Sequence, residues 1–315
     1  DRPAVAAASV MGGGPGTRGV SQLAPGTTVE RVDAIALSGG SAFGLDAAGG
    51  VMDWLRARGR GFAVGSARVP IVPGAIIFDL LTGTADDPTG WDDPPWWRLS
   101  RQAAAAATPA SRIAEGNHGA GLGATAGALK GGTGTASIRI ADVAAVAPGA
   151  TIAALVIANP LGQVTLPGSN AFMAHPYEVD GEFGAVAPPH PPPPPADHPF
   201  ERFDTGANTS LVVVATDLTL TREQCLRVAL MAQDGLARAV RPAHSPLDGD
   251  TVFALSTERH SATVGAALLA RVGMLAADCV SRATARAVYH AEPLAGFPAW
   301  RDLAPDGTLS GKSPG

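Results

Sequence analysis

Lysine is almost missing from this chain. Of 23 basic residues in 315, only Lys130 and Lys312 are lysine, so a lysine kept inside a glycine-rich segment at 130 invites a chemical reason. An excess of positive charge is missing too. The formal net charge is −5, which leaves no basic stripe for nucleic acid. Cysteine is limited to Cys225 and Cys279, both in segments of helical pattern; this gives neither a disulfide framework nor a metal-binding cluster and points to a reducing cytoplasm. The longest weakly polar stretch, 143–158, is broken by Pro148 and Gly149, too short for a membrane span. The seven histidines form no HxxxH or HExxH pair, so no zinc site is expected. Lys130 is followed by Gly131 and Gly132 rather than Ser or Thr, and no GxSxG elbow occurs; a P-loop and an α/β-hydrolase triad are thereby set aside. No cofactor and no metal are expected.

What is present is apolar and small-residue rich. At 46% apolar composition the chain can build a sizeable core as one large domain. Residues 31–39 pattern as a buried strand entering a Gly-Gly turn, and 43–58 as a helix with Leu45, Ala48, Val51, Met52 and Leu55 on one face. A further strand is expected over 69–80, a loop over 81–98 and a short helix over 102–107. The segment 119–134 has seven glycines in sixteen positions and should be a backbone-shaped loop, since no helix tolerates that density cheaply. Strands are expected over 137–147 and 151–166, separated by the Pro148-Gly149 turn.

Composition then changes. Residues 168–206 carry polar patches and the run PPHPPPPPADHP, which predicts a polyproline linker. A strongly apolar strand follows over 209–220, and Thr221 with Gln224 has the capping-box spacing that opens a helix over 222–240. A strand over 251–257, a helix over 262–289 and a loose tail from 292 complete the reading. Strands and long helices in mixed order indicate a layered α/β or α+β fold.

Three places could carry chemistry. Asn208-Thr209 stands where the linker meets a buried strand. Thr209 there is either an ordinary strand-starting β-former or, if the bond before it is cut, a nucleophile whose own α-amine, with a reference pKa of about 7.7–8.0, is the general base. Asp248-Gly249-Asp250 is either an Asp-Gly turn or a carboxylate pair able to hold an ammonium group and a hydroxyl. Asn159, before Pro160, is either a turn residue or an amide donor to an oxyanion.

The segments ALSGGSAFGLDAAGGVMDWL (36–55), VPIVPGAIIFDL (69–80), GAGLGATAGALKGGTGTASI (119–138), LVIANPLG (155–162), GANTSLVVVATD (206–217) and LARAVRPAHSPLDGDTVFALST (236–257) together resemble the self-processing L-aminopeptidase/D-amidase family. That N-terminal-nucleophile-like group includes the 6-aminohexanoate-oligomer (nylon-oligomer) hydrolases. The resemblance implies a four-layered α/β sandwich, two sheets between helical layers, in a homotetramer of cleaved protomers. It implies self-cleavage between Asn208 and Thr209, giving chains 1–208 and 209–315, with 1–291 forming one hydrolase domain. Carried over, Thr209 is the nucleophile, Asp248 and Asp250 contact it and its amine, and Asn159 is the oxyanion donor. Thr with an Asp-x-Asp pair is similar to the nylon-oligomer branch. Two positions depart from that branch: Ala128 stands where it has a lysine, leaving Lys130 either to take over the ammonium role or to pin its loop, and Phe78 replaces its substrate-binding tyrosine. The activity so implied is hydrolysis of short linear amides, such as 6-aminohexanoate oligomers, or of small peptides and amino-acid amides. An N-terminal-nucleophile acyltransferase and an uncut binding protein are the competing classes.

Overall fold

The computed structural model describes residues 2–83, 90–108, 112–140, 147–193 and 208–310. Its elements in chain order are β1 (Ala4–Val10), β2 (Thr17–Arg18), β3 (Arg31–Val32), β4 (Ala36–Ser38), α1 (Ala47–Arg56), β5 (Phe62–Val64), β6 (Ala67–Val69), β7 (Gly74–Ile76), α2 (Trp96–Ala106), β8 (Thr125–Ala126), β9 (Leu129–Lys130), β10 (Gly132–Arg139), β11 (Thr151–Ala158), β12 (Leu211–Leu218), α3 (Arg222–Ala239), β13 (Thr251–His260) and α4 (Ala266–Tyr289). Six strands form one sheet in the order β10-β11-β12-β13-β1-β3, antiparallel throughout except where β12 runs parallel to β13. A smaller sheet has the order β2-β7-β4.

The strand period of two sorts the apolar side chains between faces. Val5, Ala7, Val212, Val214, Val252 and Ala254 join α3 and α4 in the largest buried cluster. Their neighbours Ala6, Leu211 and Phe253 turn the other way and meet Ala75 and Ile77 of the small sheet's side. A third cluster joins Ala36 and Val72 to Ala48 and Leu55 of α1. Three apolar seams therefore separate four layers: α3 with α4, the six-stranded sheet, the small sheet, and α1 with α2. This is the expected four-layered sandwich.

Local chemistry sets the start of α3. Thr221 Oγ1 accepts from Gln224 N at 3.2 Å and Gln224 Oε1 accepts from Thr221 N at 3.0 Å, so the capping box does open α3. The 119–134 segment is less of a loop than its composition suggests, since it contains the β8–β9 hairpin and the start of β10. Glycine is needed in β10 because α4 lies directly on it: a Cβ at Gly134 would stand 2.1 Å from the Ala283 carbonyl oxygen. The helix expected over 102–107 begins earlier, at Trp96, where the Trp96 ring packs over Phe43 and edge-on to Trp91.

Two further expectations are corrected. The segment from 168 does not run free: Phe172 and Phe183 are buried, 5.5 Å apart and edge to face. The tail from 292 is not loose either, because Trp300 stacks on Phe172 at 5.1 Å and the Pro298 carbonyl accepts from Lys130 N at 2.8 Å. Three aromatic side chains from these two segments thus share one plug in the main core. Composition averaged over the polar and proline-rich windows concealed these few anchors. Residues 194–207, the remainder of the proposed linker, and 311–315 lie outside the described residues.

Candidate active site

Pairing between β12 and β13 does not stop at Leu211. It is prolonged backwards by a parallel bridge between Asn208 and Asp248, which draws Asn208 and Thr209 into the loop that precedes β13. Asn208 N donates to the Leu247 carbonyl at 3.1 Å, Thr209 N to the Asn159 carbonyl at 2.8 Å, and Gly249 N to the Asn208 carbonyl at 2.9 Å. The Thr209 hydroxyl donates to the same Asn208 oxygen at 2.5 Å. Thr209 is 2% exposed. The candidate nucleophile is therefore buried under its own preceding peptide, with its hydroxyl oxygen beside the Asn208 carbonyl.

Asp248 and Asp250 are buried as a pair, and one of their hydrogen bonds comes from Ser210, the residue next to Thr209. Asp250 Oδ1 accepts from Ser210 N at 2.8 Å, and its Oδ2 accepts from His244 N at 3.0 Å and lies 2.8 Å from His244 Nδ1. Asp248 Oδ1 accepts from Leu161 N at 3.1 Å, and its Oδ2 from Ser245 N at 3.1 Å and Ser245 Oγ at 2.5 Å. Burial first, and the charge of Asp250 second, push the Asp248 carboxyl above its ordinary value. Burial opposes the charged form of His244, yet the hydrogen bond and charge of Asp250 outweigh it and hold the imidazole above its ordinary value. One histidine, His244, thus stands directly against the acidic pair.

Asn159, 1% exposed, supports the site in two ways. Its backbone carbonyl holds Thr209 N. Its side chain spans two loops: Oδ1 accepts from Thr125 N at 2.8 Å, and Nδ2 donates to the Phe78 carbonyl at 3.2 Å. Phe78 therefore meets the site through its backbone. Lys130 is fully buried, and its Nζ donates to the carbonyls of Gly121, Ala124 and Gly131 at 3.2, 2.6 and 2.8 Å. Burial pulls its pKa down to about 8 against the attraction of Asp79. The lysine thus pins the glycine-rich segment whose Thr125 fixes Asn159. Cys225 and Cys279 are buried in α3 and α4, and burial pushes both thiols up to about 12, unsuited to nucleophilic work.

An open cavity of about 1540 Å³ lies beside this network, with walls from α1, α2 and the turns at Gly39-Gly40 and 119–123, and with Asp79 among its lining. Asp79 follows Phe78 in sequence, so the cavity comes within one residue of the Asn159 support. Thr209 itself does not line it.

Several supporting residues had no place in the sequence reading. His244 and Ser245 were present only as part of a matching segment, although both bond the acidic pair. The run Gly12-Gly13-Gly14 after β1 packs on the same loop: Gly14 N donates to the Asp248 carbonyl at 2.8 Å, Met11 N to that of Asp250 at 3.0 Å, and a Cβ at Gly12 would stand 2.2 Å from the Asp248 oxygen. Three consecutive glycines immediately after an alternating apolar strand were the available signal for a close backbone approach. Among the described residues, no group of three or more His, Cys, Asp and Glu could hold a metal ion, and no helix is long and apolar enough to cross a membrane.

Comparison with known proteins agrees with this architecture. The family model described as Peptidase family S58 matches residues 1–300. An uncharacterized aminopeptidase of Mycobacterium tuberculosis is 44% identical over 322 residues, covering 96% of this chain and 87% of the relative. A 6-aminohexanoate-oligomer endohydrolase of Paenarthrobacter ureafaciens is 26% identical over 242 residues, covering 71% of this chain and 60% of the relative. Among solved structures, the L-aminopeptidase D-Ala-esterase/amidase of Ochrobactrum anthropi, described as a new variant among the Ntn hydrolase fold, is similar with a TM-score of 0.65 at 23% identity, over 94% of this chain and 76% of that one. This last likeness is one of fold.

Proposed function

The chain belongs to peptidase family S58 and is a hydrolase of amide or peptide bonds, and from that premise we propose that it matures by cutting its own Asn208–Thr209 bond and then uses Thr209 against short linear amides. The observation that carries this reading is the Thr209 hydroxyl, 2.5 Å from the oxygen of the very carbonyl it would attack. In the uncut chain the Thr209 nitrogen is an amide and has no basicity. After cleavage it is a primary amine with an ordinary pKa of about 7.7–8.0, next to the hydroxyl that it must deprotonate. The Asn159 carbonyl, already bonded to that nitrogen, keeps it in place. Asp248 and Asp250 supply a negative field that favours an ammonium group, whether that of Thr209 or that of a substrate entering by its amine end. Water then takes the acyl group from Thr209.

Oligomers of 6-aminohexanoate are the substrates we put first, because Thr209 with Asp248 and Asp250 is the combination that resembles the oligoamide branch. A second reading, aminopeptidase or amidase action on small peptides and amino-acid amides, is favoured by the higher identity and fuller coverage of the Mycobacterium tuberculosis relative, which is described as an aminopeptidase.

One experiment tests both levels. Intact-mass spectrometry of the purified protein should show two chains of roughly 21 and 11 kDa in place of 31.6 kDa, and Thr209→Ala should stay whole and inactive because one hydroxyl performs both attacks. Two fragments from Thr209→Ala would remove the nucleophile assignment. A panel of 6-aminohexanoate oligomers and amino-acid anilides, with and without an added amine acceptor, then ranks the two substrate classes and separates hydrolysis from acyl transfer.

A further inference from the structure

We propose that the backbone N–H of Gly249 is the oxyanion donor of this site, serving the Asn208 carbonyl during self-cleavage and the substrate's acyl carbonyl in every later turnover. The inference rests on the maturation reading above and adds to it the group that stabilises the developing negative charge.

The geometry begins with the scissile carbonyl. Its oxygen accepts two hydrogen bonds, from Gly249 N at 2.9 Å and from the Thr209 hydroxyl at 2.5 Å. When Thr209 Oγ attacks the carbonyl carbon, the hydroxyl ceases to be a donor to that oxygen. Gly249 N–H is then left facing it as charge builds there. The side-chain amide of Asn159, the other candidate donor, is committed on both ends: Nδ2 to the Phe78 carbonyl at 3.2 Å and Oδ1 to Thr125 N at 2.8 Å.

The donor is also rigidly held, which is what makes such a dipole effective at the moment of reaction. Asp248, whose carbonyl belongs to the same peptide group as Gly249 N, has its side chain tied to Leu161 and Ser245 and its carbonyl bonded by Gly14 N. Asp250 on the other side is tied to Ser210 and His244. The residue must be glycine, because a Cβ at 249 would stand 2.5 Å from Thr209 Oγ1 and 2.7 Å from the Gly14 carbonyl oxygen. The DGD motif therefore has three parts: two carboxylates that anchor the loop, and between them a buried peptide N–H facing the Asn208 carbonyl with no side chain in the way of Thr209.

Continuity between the two reactions follows from the intermediates. In self-cleavage the Oγ–C bond to Asn208 forms, the C–N bond breaks, and the hydroxyl proton passes to the Thr209 nitrogen. The product is an ester of Asn208 on Thr209 Oγ. Water adds to that ester, the C–Oγ bond breaks, and the Asn208 carboxylic acid and the Thr209 hydroxyl are released. In turnover the substrate's acyl group forms the same kind of ester on the same oxygen and is cleared by water in the same way. A donor placed for the first ester is placed for the second.

The test replaces only the donor. Glycolate in place of Gly249, introduced into the full-length chain by ligation of synthetic segments, turns the N–H into an ester oxygen and adds no atoms. Self-cleavage and kcat per cut chain should each fall about 10²–10³-fold, the range for losing one oxyanion donor, with KM for an aminohexanoate oligomer or amino-acid anilide unchanged. The ester also weakens the Asp248 carbonyl as acceptor for Gly14 N, so a second variant with glycolate at Gly14 removes that loop bond alone. It should cost less than about tenfold. Rates within about threefold of the unaltered chain in either reaction, or an equal loss in both variants, would overturn the proposal. An unaltered chain that never cuts itself would instead remove the maturation reading, and this one with it.

Discussion

Two buried charged centres lie at the heart of this molecule, and they are wired differently. The Asp248–Asp250 pair takes its hydrogen bonds from Leu161, Ser210, His244 and Ser245, of which Ser210 adjoins Thr209 directly. Lys130 Nζ donates its three bonds to carbonyls of its own glycine-rich segment, at residues 121, 124 and 131. A charge tied to Ser210 passes a disturbance on to Thr209, the proposed nucleophile. A charge held by its own loop transmits disturbance mainly to folding. The difference sets the proposed reactive centre apart from a lysine bonded within its own loop, although both are buried.

The sharpest way to break this comparison is at Asp250. Asp250→Asn keeps the shape but sets an amide group among the backbone N–H groups of Ser210 and His244 and the His244 Nδ1. Turnover of the cut chain should fall on the order of a hundredfold or more, with slowed self-cleavage visible by mass. Asp248→Asn, bonded to Leu161 and Ser245, should behave likewise. Near-normal rates in both would reduce the motif to a turn.

Lys130→Met should show the opposite pattern. It leaves the carbonyls of Gly121, Ala124 and Gly131 buried without a donor, each costing about 1–3 kcal/mol before relaxation. The melting temperature should therefore drop by about 5–10 °C, while kcat measured well below melting stays within about tenfold. Lys130→Arg should not restore it, since a planar guanidinium does not fit three convergent carbonyls. The pH dependence has a definite sign. Because burial lowers the folded pKa to about 8, the unfolded chain binds the extra proton between that value and about 10.4, and stability gained from this group rises with pH across that window. Lys130→Met should flatten that rise. A large loss of kcat without a loss of stability would place the lysine in the chemistry after all.

The legibility of the sequence divides along similar lines. The β12 strand was readable because Leu211, Val212, Val213 and Val214 form a continuous apolar run, and α3 because its cap is local chemistry within four residues. The pairing of Asn208 with Asp248 was not readable by pattern, since it joins positions forty residues apart and depends on the parallel register of β12 and β13. The 168–193 and 292–310 parts of the expected linker and tail misled for a physical reason: Phe172, Phe183 and Trp300 supply their anchoring, and a few large aromatics outweigh many polar and proline residues in buried area. Lys130 was singled out by rarity, which marks a residue without saying what it bonds.

His244 offers the smallest and most discriminating step, because it touches the reactive centre only through Asp250. Its imidazole is held above the ordinary value near 6.5, the Asp250 hydrogen bond and charge overcoming the effect of burial. Between the ordinary and the folded value the native chain therefore holds a proton that the unfolded chain has lost. The stability it contributes is complete below about 6.5 and disappears as pH rises through the folded value. His244→Gln keeps a side-chain donor within reach of Asp250 Oδ2 and leaves the bond from residue 244 N intact, but it cannot titrate. Relative to this variant, the unaltered protein should lose about 1–2 kcal/mol of stability as pH rises across the imidazole range, read as converging melting curves, while kcat changes only severalfold. If the two proteins instead kept a constant difference in melting temperature from pH 5 to 9, the Asp250 contact would be that of a neutral ring. The negative charge of the pair would then stand unanswered, and the contrast with the clamped lysine would sharpen further.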